Sequence, residues 1–211
     1  MKKLWLALWV CAALLPRAAA LSAAAAVTMD ADTGETLFAE NADSRLPMAS
    51  TTKIMTALVA LGEGGLDRVY TVKKQYAAVE GSSMYLEEGE RLTLRDTLYG
   101  LLLSSGNDAA AAVAGECGGE RAFVDKMNAK ARELGLTDTR FENPSGLPAD
   151  GHYTTARELA KITAAALRDP VFRDIVSTKT CTAAGRTLVN HNRLLSLYED
   201  AIGVKTGFTR A

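Results

Sequence analysis

Two histidines and three cysteines in 211 residues leave little material for a Cys/His zinc cluster. An excess of one charge sign is also missing. Lys and Arg number 24 against 25 Asp and Glu, a formal net charge of −1. That balance offers no broad electrostatic footprint for nucleic acid, and no nucleic-acid partner is expected. Internal repeats, low-complexity tracts and Pro/Ser-rich linkers are absent. No metal-binding or phosphate-binding motif occurs, so no metal and no cofactor are expected. Beyond the first twenty residues, no apolar run is long enough to cross a bilayer. What is present is an ordinary folding composition, 48% hydrophobic and 23% charged, which excludes wholesale disorder. The length allows one medium domain or two small ones.

The N-terminus has the pattern of a secretory signal peptide. Lys2 and Lys3 form a positive region, Leu4 to Leu15 are unbroken apolar residues, and Ala18-Ala19-Ala20 supply a small-residue cleavage site. Residues 1–20 are therefore expected to be removed, which points to an exported protein at the extracytoplasmic face of the envelope. Cys117 and Cys181 remain. Export would permit a disulfide, and two inert thiols fit equally well.

Along the mature chain, Ala25 to Thr28, the turn Asp32-Thr33-Gly34 and Thr36 to Phe38 suggest a β-hairpin. Ile54, Met55, Leu58 and Leu61 fall on one helical face from Ser50 onward, and Gly62, Gly64 and Gly65 stop it. Residues 71–93 suit short strands or loops. Leu94–Leu103 suits a short helix, and Asn107 or Asp108 could cap the next, which runs through Ala114. Arg121–Leu134 is amphipathic and ends at Gly135. Thr155 and Glu158 have capping-box spacing for a helix to about Leu167, and another short helix follows Pro170. Thr178–Thr182, Leu188–Asn190 and Ile202–Thr209 suit strands. Strands at both ends with helices between predict an α+β fold, a helical cluster packed on an antiparallel sheet built from both chain ends.

Three short motifs carry chemistry. In Ser50-Thr51-Thr52-Lys53 the serine and lysine lie three apart at a helix start, so the side chains are neighbours. A serine hydroxyl needs a base to become a nucleophile, and a lysine with a lowered pKa can serve. Ser105-Gly106-Asn107 sits between two helices and can present a hydroxyl and an amide to a cleft. Lys205-Thr206-Gly207 lies on the expected last strand and offers a cation, a hydroxyl and close backbone approach. Alone, each is also what a capped helix, an interhelical turn or a surface strand would show. Together, in this order and in these settings, they form the motif set of penicillin-recognising serine enzymes.

The chain resembles the low-molecular-mass penicillin-binding proteins that are serine-type D-alanyl-D-alanine carboxypeptidases. The likeness extends through Ala31-Asp32-Thr33-Gly34, Pro47 to Thr56, Gly81 to Leu86, Leu102 to Ala110, Asn143 to Leu147, His152 to Ala156 and Gly203 to Thr209. It implies the penicillin-binding protein/β-lactamase-like transpeptidase fold. It also implies acyl transfer on a peptidoglycan pentapeptide ending in D-Ala-D-Ala. Ser50 would be the nucleophile and Lys53 its base. Ser105 and Asn107 would complete the proton network and hold the substrate amide. Lys205 would supply positive potential, Thr206 would help bind the terminal carboxylate, and Gly207 would complete that subsite. The backbone N–H groups of Ser50 and Phe208 would form the oxyanion hole. β-Lactam antibiotics would acylate Ser50 as covalent inhibitors. Asn190, His191 and Asn192 are expected to form a structural turn, and His152 to be loop structure.

A class A β-lactamase would look for a glutamate with asparagine four residues on. No such pair lies between Asn107 and Lys205. A non-catalytic peptidoglycan-binding envelope protein is the other alternative, and it would have no need of the Ser50–Lys53 pair. In the family, two further strands and a closing helix follow the Lys-Thr-Gly segment, whereas Ala211 stands four residues after Gly207. Residues 21–211 are therefore expected to be an incomplete catalytic domain, a fragment lacking its last strands. Oligomeric state stays open.

Overall fold

The computed structural model describes residues 23–209. The expected signal peptide, 1–20, lies outside them. Strands β1 (Ala26–Met29) and β2 (Thr36–Glu40) form the first hairpin. Asp30 builds its turn by accepting the Asp32 and Thr33 N–H groups on one carboxylate oxygen, and Gly34 takes φ +77°. A 3₁₀ turn, Ala49–Thr52, then runs directly into α1 (Lys53–Glu63).

Strand β3 (Val69–Thr71), the short helix α2 (Lys74–Ala77) and β4 (Arg91–Thr93) follow. Helix α3 (Leu94–Leu102) starts on a reciprocal box between Thr93 and Asp96. Next come α4 (Asn107–Glu116), α5 (Glu120–Glu133) and α6 (Ala156–Leu167). Helix α7 (Pro170–Ser177) begins with proline at its first turn and Asp169 as cap. Strands β5 (Thr180–Ala183) and β6 (Arg186–Val189) form the last hairpin, and a short helix α8 (Leu194–Leu197) precedes the terminal segment.

Helix α1 is the hub, packed against α3, α4, α5, α6 and α7. It is buried nearly all round, as is α4, whose run of alanines lets neighbouring backbones approach closely. Glycines sharpen this. A Cβ at Gly100 would lie 2.1 Å from Met84 Sδ, and one at Gly115 would lie 2.3 Å from the Tyr76 ring. The loop 78–90 and helix α2 can therefore sit tight on α3 and α4.

The α+β class is as expected, but the sheet is not. The described strands form three separate antiparallel pairs, β1–β2, β3–β4 and β5–β6. Ile202–Thr209 is not a strand, because no neighbouring backbone among the described residues offers it a ladder. Gly106, not Asn107 or Asp108, caps α4, and Asn107 is its first residue. The Thr155/Glu158 box is half made. Thr155 accepts the Glu158 N–H, while the Glu158 carboxylate instead binds the Thr137 and Asp138 N–H groups and the Thr139 hydroxyl. Helices α2 and α8 were not anticipated, because runs of four residues carry no period. Cys117 and Cys181 are both free thiols. No described helix is long and apolar enough to cross a membrane.

Candidate active site

Ser50 lies in the 3₁₀ turn and Lys53 opens α1, so the Ser-x-x-Lys spacing brings Lys53 Nζ to 3.1 Å from Ser50 Oγ. Lys53 is fully buried. Its ammonium makes two further bonds, to Asn107 Oδ1 at 2.8 Å and to the Ser145 carbonyl at 2.6 Å. All three N–H groups of the cation are thus used. Two of the partners are carbonyl oxygens, which can only accept. A neutral amine must keep its protons on them, which leaves the lone pair facing Ser50 Oγ. Burial, helped by the nearby Lys205 charge, brings the Lys53 pKa down to about 7, with the Asp108 carboxylate opposing.

Each acceptor is held in place. The Asn107 amide donates to the Glu80 carbonyl at 2.7 Å, which fixes its oxygen toward Lys53. Gly81 crosses over that amide so closely that a Cβ would lie 2.7 Å from Nδ2. The Ser145 carbonyl belongs to a loop wound around Asn143, whose Oδ1 accepts the Ser145 and Gly146 N–H groups. Thr56 of α1 ties the same loop down through the Pro144 carbonyl at 2.6 Å.

Asp108, buried beside Asn107, anchors the rim. It accepts the Met84 and Leu86 N–H groups at 3.0 Å and the Ser83 hydroxyl at 2.6 Å. Arg186 clamps the other side of this rim. It pairs with both oxygens of Glu90 and donates to the Tyr85 carbonyl at 2.6 Å. Sequence reading gave Gly81–Leu86 as part of the family likeness but missed both anchors. A carboxylate beside Asn107 was visible, whereas the distant Arg186 gave no signal.

The expected site residues do converge. Ser50, Ser105, Asn107, Thr206, Gly207 and Phe208 line one cleft of about 280 Å³, into which His191 also faces. Ser105 has φ +61°, an uncommon state for a residue with a side chain. Among the described residues, however, no hydrogen bond joins Ser105 Oγ to Ser50 or Lys53, and of the pair only Asn107 reaches the ammonium. Gly207 lies against the Ser50 turn, where a Cβ would be 3.3 Å from the Met48 carbonyl. Lys205 bonds the Thr206 carbonyl at 2.8 Å, and burial lowers its pKa to about 8. Phe208 is 83% exposed. A second, apolar hollow of about 420 Å³ adjoins the cleft along Gly146, Leu147, Pro148 and Phe208.

As expected, the 190–192 stretch is a turn: Asn190 donates to the Val176 and Thr178 carbonyls and accepts the Asn192 N–H. His152, as expected, is built into its loop, where it bonds the Glu142 N–H and Thr52.

The chain is similar to known proteins. Residues 12–211 match the family model for D-alanyl-D-alanine carboxypeptidase. The D-alanyl-D-alanine carboxypeptidase DacF of Bacillus subtilis is 41% identical over 199 residues, which cover 89% of this chain and 51% of that protein. The D-alanyl-D-alanine carboxypeptidase of Streptomyces sp. strain K15 is 39% identical, over 89% of this chain and 72% of its own. The crystal structure of the Streptomyces K15 DD-transpeptidase superposes with a TM-score of 0.85 at 38% identity, covering 91% of this chain and 82% of that one. A D-alanyl-D-alanine carboxypeptidase from Mycobacterium tuberculosis H37Rv also gives 0.85 at 38% identity, over 89% and 73%. The chain thus spans about half the length of the Bacillus relative.

Proposed function

The chain belongs to the D-alanyl-D-alanine carboxypeptidase family, and from that premise we propose that the protein removes the terminal D-Ala from peptidoglycan stem peptides through an acyl-enzyme on Ser50. The observation that carries this reading is the buried Lys53 ammonium, 3.1 Å from Ser50 Oγ and held by two oxygens that can only accept. Neutral Lys53 takes the Ser50 proton as Oγ attacks the carbonyl carbon of the penultimate D-Ala. The carbonyl oxygen becomes an oxyanion held by the Ser50 and Phe208 N–H groups. As the tetrahedral species collapses, the C–N bond breaks, an ester on Ser50 remains and the amine of D-Ala leaves with the proton. Water then cleaves the ester by the reverse proton route.

Asn107 orients Lys53 and binds the substrate amide, and Ser105 relays the leaving-group proton. Lys205 supplies positive potential, and Thr206, beside Gly207, binds the terminal carboxylate. A β-lactam, opened by the same attack, leaves a slowly hydrolysed ester. The protein works outside the cytoplasm, where its substrate is, after export by residues 1–20. The likeness to both carboxypeptidases and a DD-transpeptidase makes the acceptor, water or an amine, the point to measure. The test is D-Ala release from a D-Ala-D-Ala pentapeptide together with fluorescent-penicillin labelling that Ser50→Ala abolishes. Absence of both, or rapid nitrocefin turnover in their place, overturns the reading.

A further inference from the structure

His152 is buried against Phe141, edge to face at 5.9 Å between ring centres. The Glu142 N–H donates to its Nδ1 at 3.0 Å. A ring nitrogen that accepts carries no proton, so the proton of the neutral imidazole is on Nε2. Nε2 lies 2.8 Å from Thr52 Oγ1 and therefore donates to it. The Thr52 hydroxyl in turn donates its own proton to the Ala49 carbonyl at 2.7 Å. Three hydrogen bonds, all running in one direction, end on that oxygen.

The Ala49 carbonyl and the Ser50 N–H belong to the same peptide plane. A trans peptide is rigid, and its C=O and N–H point in opposite directions, so holding the oxygen aims the N–H. The plane needs holding, because Ala49 sits at φ +45°, where residues with a side chain rarely rest. Gly146 closes the same oxygen in from another side, so tightly that a Cβ there would lie 1.8 Å from it.

We propose that His152 and Thr52 are positioning residues for the oxyanion site: their hydrogen-bond chain fixes the Ala49–Ser50 peptide plane so that the Ser50 N–H faces the substrate carbonyl oxygen. The proposal rests on the acyl-transfer function proposed above. Neither side chain lines the cleft that holds Ser50. Burial keeps His152 neutral, with its pKa down to about 4 against the opposing pull of the Glu142 carboxylate, which is itself paired with Arg140 at 2.7 Å. The proton arrangement therefore persists across the neutral range.

The test uses the full chain and measures fluorescent-penicillin acylation, separated into non-covalent affinity and acylation rate constant. Thr52→Val keeps the shape and removes the hydroxyl. It is expected to lower the rate constant about tenfold with affinity unchanged, because a misaimed oxyanion donor acts only in the transition state. Thr52→Ser is expected to restore the rate. His152→Ala should show the same defect, and combining it with Thr52→Val should add nothing, since both cut one chain. The ¹⁵N shifts of the wild-type His152 ring should show Nδ1 unprotonated and Nε2 protonated.

Wild-type rates in Thr52→Val, a loss confined to affinity, additive defects, or a ring protonated at Nδ1 would each overturn the inference while leaving the function standing. A wild-type chain that takes no label overturns the function and this inference with it. If His152→Ala does not fold, the Thr52→Val and Thr52→Ser pair and the ring shifts still decide.

Discussion

One wall of the cleft carries Ser50, Lys53 and Asn107 on the ends of packed helices, with Lys53 fully buried and every donor on it matched. The facing wall carries Lys205, Thr206 and Gly207 on a terminal segment that is neither helix nor strand and has no ladder partner among the described residues, and Phe208 beside them is 83% exposed. Chemistry that depends on a shifted pKa needs dry, rigid surroundings. The helical wall provides these through interior packing. The terminal wall meets the site where Gly207 lies against the Ser50 turn and through the charge of Lys205. The proposed nucleophile and base are therefore set by the core, while the Lys205 cation is set by a segment that side-chain packing holds only lightly.

The sharpest break of this contrast is Lys53→Met. With the proposed base gone from the helical wall, penicillin acylation should fall by about a thousandfold or more, measured by label incorporation over time. Retained acylation would transfer the base role elsewhere.

Gly146→Ala strikes the helical wall from behind. The new methyl would meet the Ala49 carbonyl, and φ +89° is unfavourable in itself. A destabilisation of roughly 2–4 kcal/mol is expected in thermal unfolding, with loss of labelling. Gly185→Ala, at φ +70° but with nothing within 4 Å, should cost only about 1 kcal/mol.

Lys205→Gln tests whether the terminal wall acts electrostatically across the cleft. Acylation needs neutral Lys53, so its rate should rise with pH through about 7. Burial is the larger cause of that low value and stays in the variant. Removing the Lys205 charge relieves repulsion on the Lys53 ammonium, raises its pKa and moves the acid limb of the pH–rate profile to higher pH. An unmoved limb would separate the two walls.

Arg186→Leu should have the smallest effect. It frees Glu90 and the Tyr85 carbonyl while Asp108 still holds the other side of the rim. A few-fold slower acylation and about 1 kcal/mol of lost stability are expected.

The same division runs through what could be seen in advance. The Ser50–Lys53 pairing was legible because helical spacing is a local property. Helices α1, α3, α5, α6 and α7 were legible from periodicity, glycine stops and Pro170. Ile202–Thr209 misled, because apolar and β-branched residues describe a tendency to be strand, whereas a strand exists only when another backbone completes its ladder. Gly106 displaced Asn107 as the α4 cap because the Asn107 side chain is spent on Lys53 and the Glu80 carbonyl. Likewise the Glu158 carboxylate is spent on residues 137–139 and cannot close its box.

By itself the sequence determined the chemistry available: a serine with a lysine one turn on, an amide between two helices, a cation before Thr-Gly, and the order that marks the family. Only the tertiary structure decided which groups act on Lys53, how far its pKa falls, and that Asp108, Arg186 and His152, from outside the three motifs, brace the site together with Thr52 of the first. The reason is physical. Spacing within a helix follows from backbone geometry, but burial, acceptor direction and the fixing of one peptide plane depend on residues as far as 100 positions apart in the chain, as Thr52 and His152 are.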